Sequence, residues 1–253
     1  LHTRQTRMAI TKTDTNPTGT TITFDERGHL YYTDPKTVLT SVTKFIGSFF
    51  PHFDAKTVSR AYARKHKLDA KDVRKKWKQK GAKASKLGTA VHNYCESQFT
   101  NEPFKGNHPS TERYENLLKT AKQACDKLDS QLEFLAAEKI LFSEKLGLAG
   151  QVDLLMRNPN NGNIAILDWK TNEKILTENF WRNAQAPICH LQDCNYVKYG
   201  LQLSTYKHLM LEEGYYPGVN YSMMLIHLQP HRAGWLKIDD VYGKDIKNML
   251  SWV

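Results

Sequence analysis

Two stretches of this sequence carry carboxylates on segments that read as buried strands: Asp153 in GLAGQVDLLM and Asp168 in IAILDWKT. Both stretches are rich in Leu, Ile and Val, the composition of strands packed into a core. An ionised carboxylate in such surroundings costs several kcal/mol unless a cation compensates it. Lys170 is one such cation. Two residues beyond Asp168 on a strand, it points to the same side, while Trp169 points away. A divalent metal is another, and hard carboxylate oxygens favour Mg²⁺ or Mn²⁺ over zinc. A metal held by two aspartates beside a lysine can generate hydroxide, offset charge on a phosphate and orient the attacking water. Asp-x-Lys alone is better read as an ordinary salt bridge at a sheet edge.

Other residues join it. GTAVHNYCE places Gly88, His92 and Glu96 at i, i+4 and i+8, one stripe of a helix. Gly88 lets that helix approach another backbone closely, and His92 can ligate a metal. QLSTY places Gln202 and Tyr206 at i and i+4 on a later helix, so both can face one site.

In chain order, Gly88–His92–Glu96, Gly150–Asp153, Asp168–Lys170 and Gln202–Tyr206 resemble the RecB-type branch of the PD-(D/E)xK nuclease superfamily, over about residues 86–210. The upstream VLTSVTKFIGSFFPHFD and the basic helices after it are similar to small phage exonucleases of this type. A more distant likeness is to the mitochondrial genome-maintenance exonuclease. The resemblance implies an α/β fold with a restriction-endonuclease-like core, a mixed β-sheet flanked by helices, preceded by a basic helical region. It implies that Asp153 and Asp168 ligate Mg²⁺ or Mn²⁺, together with the backbone carbonyl of Trp169. Lys170 would position or activate the water, and His92 would ligate or orient at the metal. Gln202 and Tyr206 would hold Lys170 or the substrate phosphate. Glu96 would touch a second metal or hold His92; Glu138, on the preceding strand, is another possible carboxylate and is read as structural. The activity implied is hydrolysis of DNA from single-stranded ends, in replication, recombination or degradation. Some members hold an iron–sulfur cluster through cysteines that follow the QxxxY helix. No cysteine follows Tyr206 here, so no iron–sulfur cluster is expected. A zinc site from Cys189, Cys194, His227 and His231 would need the Pro230 turn to bring the two histidines together, and four unrelated residues is the better reading.

The elements that must position these residues follow from the pattern. Residues 1–20, rich in Thr, read as a mobile tail. Residues 21–86 read as a hairpin around Glu26-Arg27-Gly28, a short helix after Thr40-Ser41 and a basic helical region broken at Gly81. Residues 87–253 read as the nuclease core. There a helix from about Lys86 to Phe99 and another from Ser110 to about Leu132 precede strands Ala137–Ser143, Ala149–Arg157 and Ile164–Lys170. A helix over about Tyr199–Glu213, strands over about Asn220–Leu228 and Trp235–Ile238 and a short helix complete the chain.

The charge is local. Of 36 Lys and Arg against 26 Asp and Glu, 13 basic and two acidic residues lie between Lys56 and Lys86; the rest carries 23 basic and 24 acidic. A concentrated positive field points to a polyanion, and Arg74, Lys75, Lys76, Trp77, Lys78, Lys80 and Lys83 are the candidate nucleic-acid contacts. A solvated lysine-rich helix face, with Trp77 as a core anchor, is the plainer alternative. No apolar run approaches the ~18–20 residues of a membrane span. Four cysteines make no disulfide framework, which suggests a reducing, intracellular setting; the resemblance to phage exonucleases implies the cytoplasm of a bacterium or a phage-infected host. The mitochondrion is the alternative, since the acid-free LHTRQTR also fits a trimmed presequence. Two other functions fit the pattern. One is an RNA endonuclease on a similar core, against which the QxxxY pair speaks; the other is a non-catalytic nucleic-acid-binding module with a vestigial nuclease fold.

Overall fold

A computed structural model describes residues 11–34, 37–100, 102–104 and 111–252. Four strands come first: β1 (Thr11–Thr15), β2 (Thr21–Asp25), β3 (Leu30–Thr33) and β4 (Thr37–Ser41). Three helices follow, α1 (Val42–Gly47), α2 (Ala55–His66) and α3 (Ala70–Phe99). After α4 (Glu112–Asp129) the chain forms β5 (Glu133–Ser143), β6 (Leu148–Arg157) and β7 (Ile164–Lys170). It ends with α5 (Asn195–Glu212), β8 (Tyr221–Gln229), β9 (Arg232–Ile238) and α6 (Gly243–Leu250).

The sheet is mixed. Its order is β1-β2-β3-β4-β6-β7-β8-β9, with β5 branching off to pair with β6. β5, β6 and β7 form an antiparallel meander, whereas β7 and β8 run parallel because α5 carries the chain across one face. That face is covered by α1, α5 and α6, whose Phe45, Leu201, Tyr206 and Ile246 pack on Val152, Leu155 and Ile166. The other face is covered by α3 and α4, with Val91, Cys95, Leu117 and Ala121 against Leu154, Leu167 and Trp169. The N-terminal strands add a third layer, Ile22, Phe24 and Tyr31 on Ile140 and Phe142.

Local chemistry explains the helix starts. Ser41 accepts from the Lys44 amide, Asp54 from Lys56 and Thr57, Asp69 from Lys71 and Asp72, and Thr111 from Tyr114. Each satisfies amides that the first helical turn leaves without partners. α2 stops at Lys67, whose left-handed backbone (φ +54°) turns the chain toward Asp69.

Two expectations need correction. Residues 11–15 are not tail but edge strand, paired with β2 along their length. Asp14 ties them down by an ion pair to Lys139 and by accepting from the Ile140 amide at 3.2 Å. The polar Thr-Lys-Thr-Asp-Thr hides this strand because it lies at an edge, half exposed, with no apolar alternation to display. Residues 1–10 lie outside the described residues, as does Ser110, the expected start of the next helix. Second, Gly81 does not break the helix: α3 runs unbroken from Ala70 to Phe99. A glycine costs a helix only about 1 kcal/mol relative to alanine, and the Lys, Gln and Ala around it are strong helix formers.

Candidate active site

The site opens where β6 loses its neighbour. One edge of β6 pairs with β5 on both sides of Asp153; on the other, β4 takes Leu148 and Ala149 and β7 takes Leu154 to Arg157. Among the described residues nothing pairs with that edge between them. β7 leaves β6 beyond Leu167 but stays on β8 through Lys170. The strands therefore fork at the level where Asp153 and Asp168 would be the next partners. Asp153 fills the gap itself, its Oδ2 accepting from the Trp169 amide at 2.8 Å. A strand residue presents its N–H and C=O on the same edge, so the Trp169 carbonyl also opens into the fork. The indole lies on the opposite face, in the core under α3 and α4.

Four ionisable side chains converge there. Asp168, 2% exposed, forms an ion pair with Lys170, as the spacing predicts. The oxygen that Lys170 meets is Oδ2. His92 Nδ1 on α3 lies 3.4 Å from Asp153 Oδ2. Burial alone would lower the His92 pKa, but the charge and hydrogen bond of Asp153 outweigh it and push it up to about 9. Against the upward push of its own burial, Asp153 is held below the usual carboxylate range by His92 and then Lys170. Burial, with Asp153 adding to it, drives Asp168 up to about 6 despite Lys170. Lys170 is raised: burial opposes its charge, but Asp168 and Asp153 win.

A fifth group is one that the sequence reading left as structural. Glu138 stands opposite Asp153 on β5 and has a left-handed backbone, φ +50°. Burial and the Asp153 charge raise its pKa to about 8. Ligand atoms of His92, Glu138 and Asp153 all lie within 4.8 Å of one another, the one such group among the described residues. The sequence offers Glu138 as a further carboxylate on the strand before Asp153, but a left-handed residue within a strand has no sequence signature to set it apart from a structural one.

The remaining motif residues support this cluster. Gln202 Nε2 donates to Tyr206 Oη at 3.0 Å, and Tyr206 is buried against β6. Gly150 explains its own identity: a Cβ there would lie 2.7 Å from the Tyr206 ring and 3.0 Å from Val42. Gly88 gives α3 its close approach to Thr171, 3.3 Å from where its Cβ would be. Glu96 is not part of the His92, Glu138 and Asp153 group; its carboxylate lies 4.0 Å from Lys12, and both charges act on Glu138. The four residues imagined as a zinc site do not form a metal-holding group: His227 bonds to the Asn172 carbonyl at 2.7 Å, while Cys194 is buried at the start of α5 and Cys189 is exposed.

Two recesses flank the cluster. A cavity of about 430 Å³ is lined by Glu138, Asp153, His92 and Gln202, with His29 and Tyr31 from the N-terminal sheet on its wall. A groove of about 1690 Å³ runs between α3 and the segment after β7, past Lys76, Lys80, Lys83, Lys86, Arg113 and Lys174. Thr89 and Asn93 line both, so the two are contiguous. The candidate contacts on α3 therefore separate by face. Lys76, Lys80 and Lys83 line the groove, and Lys75 and Lys78 are exposed elsewhere on the helix. Arg74 turns toward α2 to donate to Ser59 at 2.8 Å, and Trp77 packs between Phe53 and Tyr62. Trp77 is thus an anchor for α2 in this structure.

A family model of the PD-(D/E)XK nuclease superfamily matches residues 57–243, most of the chain and every element of the fork. The chain belongs to the PD-(D/E)XK nuclease superfamily. No curated protein matches it. PD-(D/E)XK nucleases generally use divalent metals, and the residues of this fork suit one. The donors are hard oxygens plus one imidazole, and ligand atoms of His92, Glu138 and Asp153 already lie close enough together to share one ion. Among the described residues, no helix is long and apolar enough to cross a membrane.

Proposed function

We propose that this superfamily member is a Mg²⁺- or Mn²⁺-dependent deoxyribonuclease of the RecB type, an exonuclease acting on single-stranded DNA ends inside the cell. The observation that carries this reading is the fork itself. Asp153, Asp168 and Lys170 meet His92 and Glu138 at the end of a groove lined with lysines. Asp153, Asp168, Glu138, His92 and the Trp169 carbonyl would hold the cation. When bound, a divalent cation supplies the charge that lowers the pKa of water and offsets the charge developing on a phosphate.

The protein's own groups do the rest. Lys170, fixed by Asp168, presents an ammonium to the phosphate oxygens and the attacking water. Asp153, held by the Trp169 amide and His92, cannot swing away from the fork. Tyr206 and Gln202 pack behind it and keep β6 at its distance from α5. Lysines along the groove hold a strand by its phosphates without reading its bases, which suits an enzyme that degrades rather than recognises a sequence.

The test uses end-labelled single- and double-stranded DNA and RNA, and circular DNA, with Mg²⁺, Mn²⁺ or EDTA. The expected result is metal-dependent release of short products from linear single-stranded DNA, with circles spared. Asp168→Ala and Lys170→Ala should each cut on the order of a hundredfold more slowly or worse. Equal degradation of circles would remove the requirement for ends, and cleavage of RNA alone would move the substrate to RNA. If no substrate is cut, or either variant cuts like the wild type, the catalytic reading is wrong.

A further inference from the structure

Lys170 has a second partner besides Asp168: its Nζ lies 4.5 Å from the ring centroid of Tyr199, one helical turn before Gln202 on α5. That ring is itself fixed. Its hydroxyl donates to Asn172 Oδ1 at 3.0 Å, and the Asn172 carbonyl meets His227 Nε2 at 2.7 Å. His227 is buried and sits beside Lys170 in the β7–β8 register. The segment leaving β7 is thus held at Asn172 from both α5 and β8, and the aromatic face that receives the ammonium is held with it. A lysine has four rotatable bonds and loses much freedom when fixed at a reaction centre. An aromatic face on one side and a carboxylate on the other leave its ammonium one position.

We infer that Tyr199 is a positioning residue for Lys170, acting through its ring, with Asn172 and His227 as the brace that sets the ring's place. The role rests on the nuclease reading for its consequence, but the contact itself is independent of it. Tyr199→Phe keeps the ring and loses only the brace; Tyr199→Leu loses the ring. The cleavage rate should fall two- to fourfold in Tyr199→Phe and at least tenfold in Tyr199→Leu, with KM and thermal stability close to wild type. Asn172→Ala should match Tyr199→Phe, and the double variant should be no worse than either, because both remove the same bond.

A measurement without turnover accompanies these rates. In metal-free protein with ¹³C-lysine, the Cε–Hε signal of Lys170, assigned with Lys170→Arg, should be shifted upfield by the ring. The shift should persist in Tyr199→Phe and vanish in Tyr199→Leu. If Tyr199→Leu does not fold, the Phe and Asn172 variants still give both readouts. An unshifted Lys170 signal in the wild type, a Leu variant as fast as Phe, or additive losses in the double variant would overturn the inference. A shifted signal in a protein that cuts nothing would uphold the contact while overturning the nuclease reading.

Discussion

Glu138 holds a backbone conformation that a non-glycine residue rarely adopts, inside a strand and directly opposite Asp153. Leu148, Val152 and Leu155 of β6 all face the core under α5. The side-chain alternation of β6 therefore changes phase between 152 and 155, at the level of Glu138. Such strain persists where surroundings over-determine it, and here it aims a third carboxylate at a site already holding two. The metal-free protein should register the crowding as a pH dependence of stability. Glu138 and Asp168, with folded pKa values near 8 and 6 raised chiefly by burial, bind protons more tightly when folded than unfolded. Their contribution is full at about pH 4 and is lost as pH rises through those values. His92, raised to about 9 against its own burial by Asp153, adds a contribution present below its unfolded pKa and lost toward pH 9. In EDTA, Tm should therefore decline from pH 5 to pH 9. Mn²⁺ or Mg²⁺ should restore more at pH 8 than at pH 5, because cation and proton compete for the same oxygens. A Tm that rises over this range in EDTA, or a metal effect independent of pH, would contradict the geometry. Gly150 offers a test of the packing behind the site. Gly150→Ala forces its methyl into Tyr206 and Val42 and should cost about 1–3 kcal/mol in denaturant unfolding. Gly147→Ala, on an open turn with φ +64°, would be strained for backbone reasons alone and should leave the Tyr206–Gln202 bond intact.

At the scale of elements, α3 is the part of the fold that composition describes least well. Between Arg74 and Thr89 none of its side chains is buried, yet it crosses that stretch as one helix to deliver His92. Gly81 sits in that exposed span with nothing within 4 Å of its would-be Cβ. Gly81→Ala should stabilise the span by about 0.5–1 kcal/mol, read as slower amide exchange through residues 74–89. Unchanged exchange there would mean the span is held by contacts rather than by its own helical preference. The sequence made the central strands and the site's four motifs legible because both have strong local signatures. β7 begins and ends where its apolar run does, at Ile164 and Lys170, and Ser41, Asp54 and Asp69 cap helices as their types suggest. Features set by tertiary contact were not legible. β1 is a strand because Asp14 reaches Lys139 across 125 residues, and Glu138 matters because β5 distorts. Tyr199 belongs with them: nothing in its spacing announces a ring placed over Lys170.

Across the whole molecule, the net charge of +10 resolves into one basic segment on a nearly neutral body, and only part of that segment faces the site. Lys76, Lys80 and Lys83 line the groove that joins the cavity at His92 and Asp153; Lys75 and Lys78 do not. Glu173, in the segment just past Lys170, pairs with Lys80 at 3.3 Å and is the acid along that groove. If the groove is the track for a DNA strand, charge removed from it should count and equal exposure elsewhere on α3 should not. Replacing Lys76, Lys80 and Lys83 by Gln should weaken binding of a labelled single strand in EDTA by tenfold or more at moderate salt. It should also flatten the log–log salt dependence by about 2, near 0.7 for each lost phosphate contact. Lys75→Gln with Lys78→Gln should leave the salt slope within about 0.5 of wild type, and Glu173→Gln should tighten binding by freeing Lys80 for a phosphate. Both lysine sets should melt like the parent, since surface charges on a solvated helix contribute little to stability. Equal loss from the two sets would mean that the strand follows the outer face of α3, and equal silence would return all five lysines to the solvent.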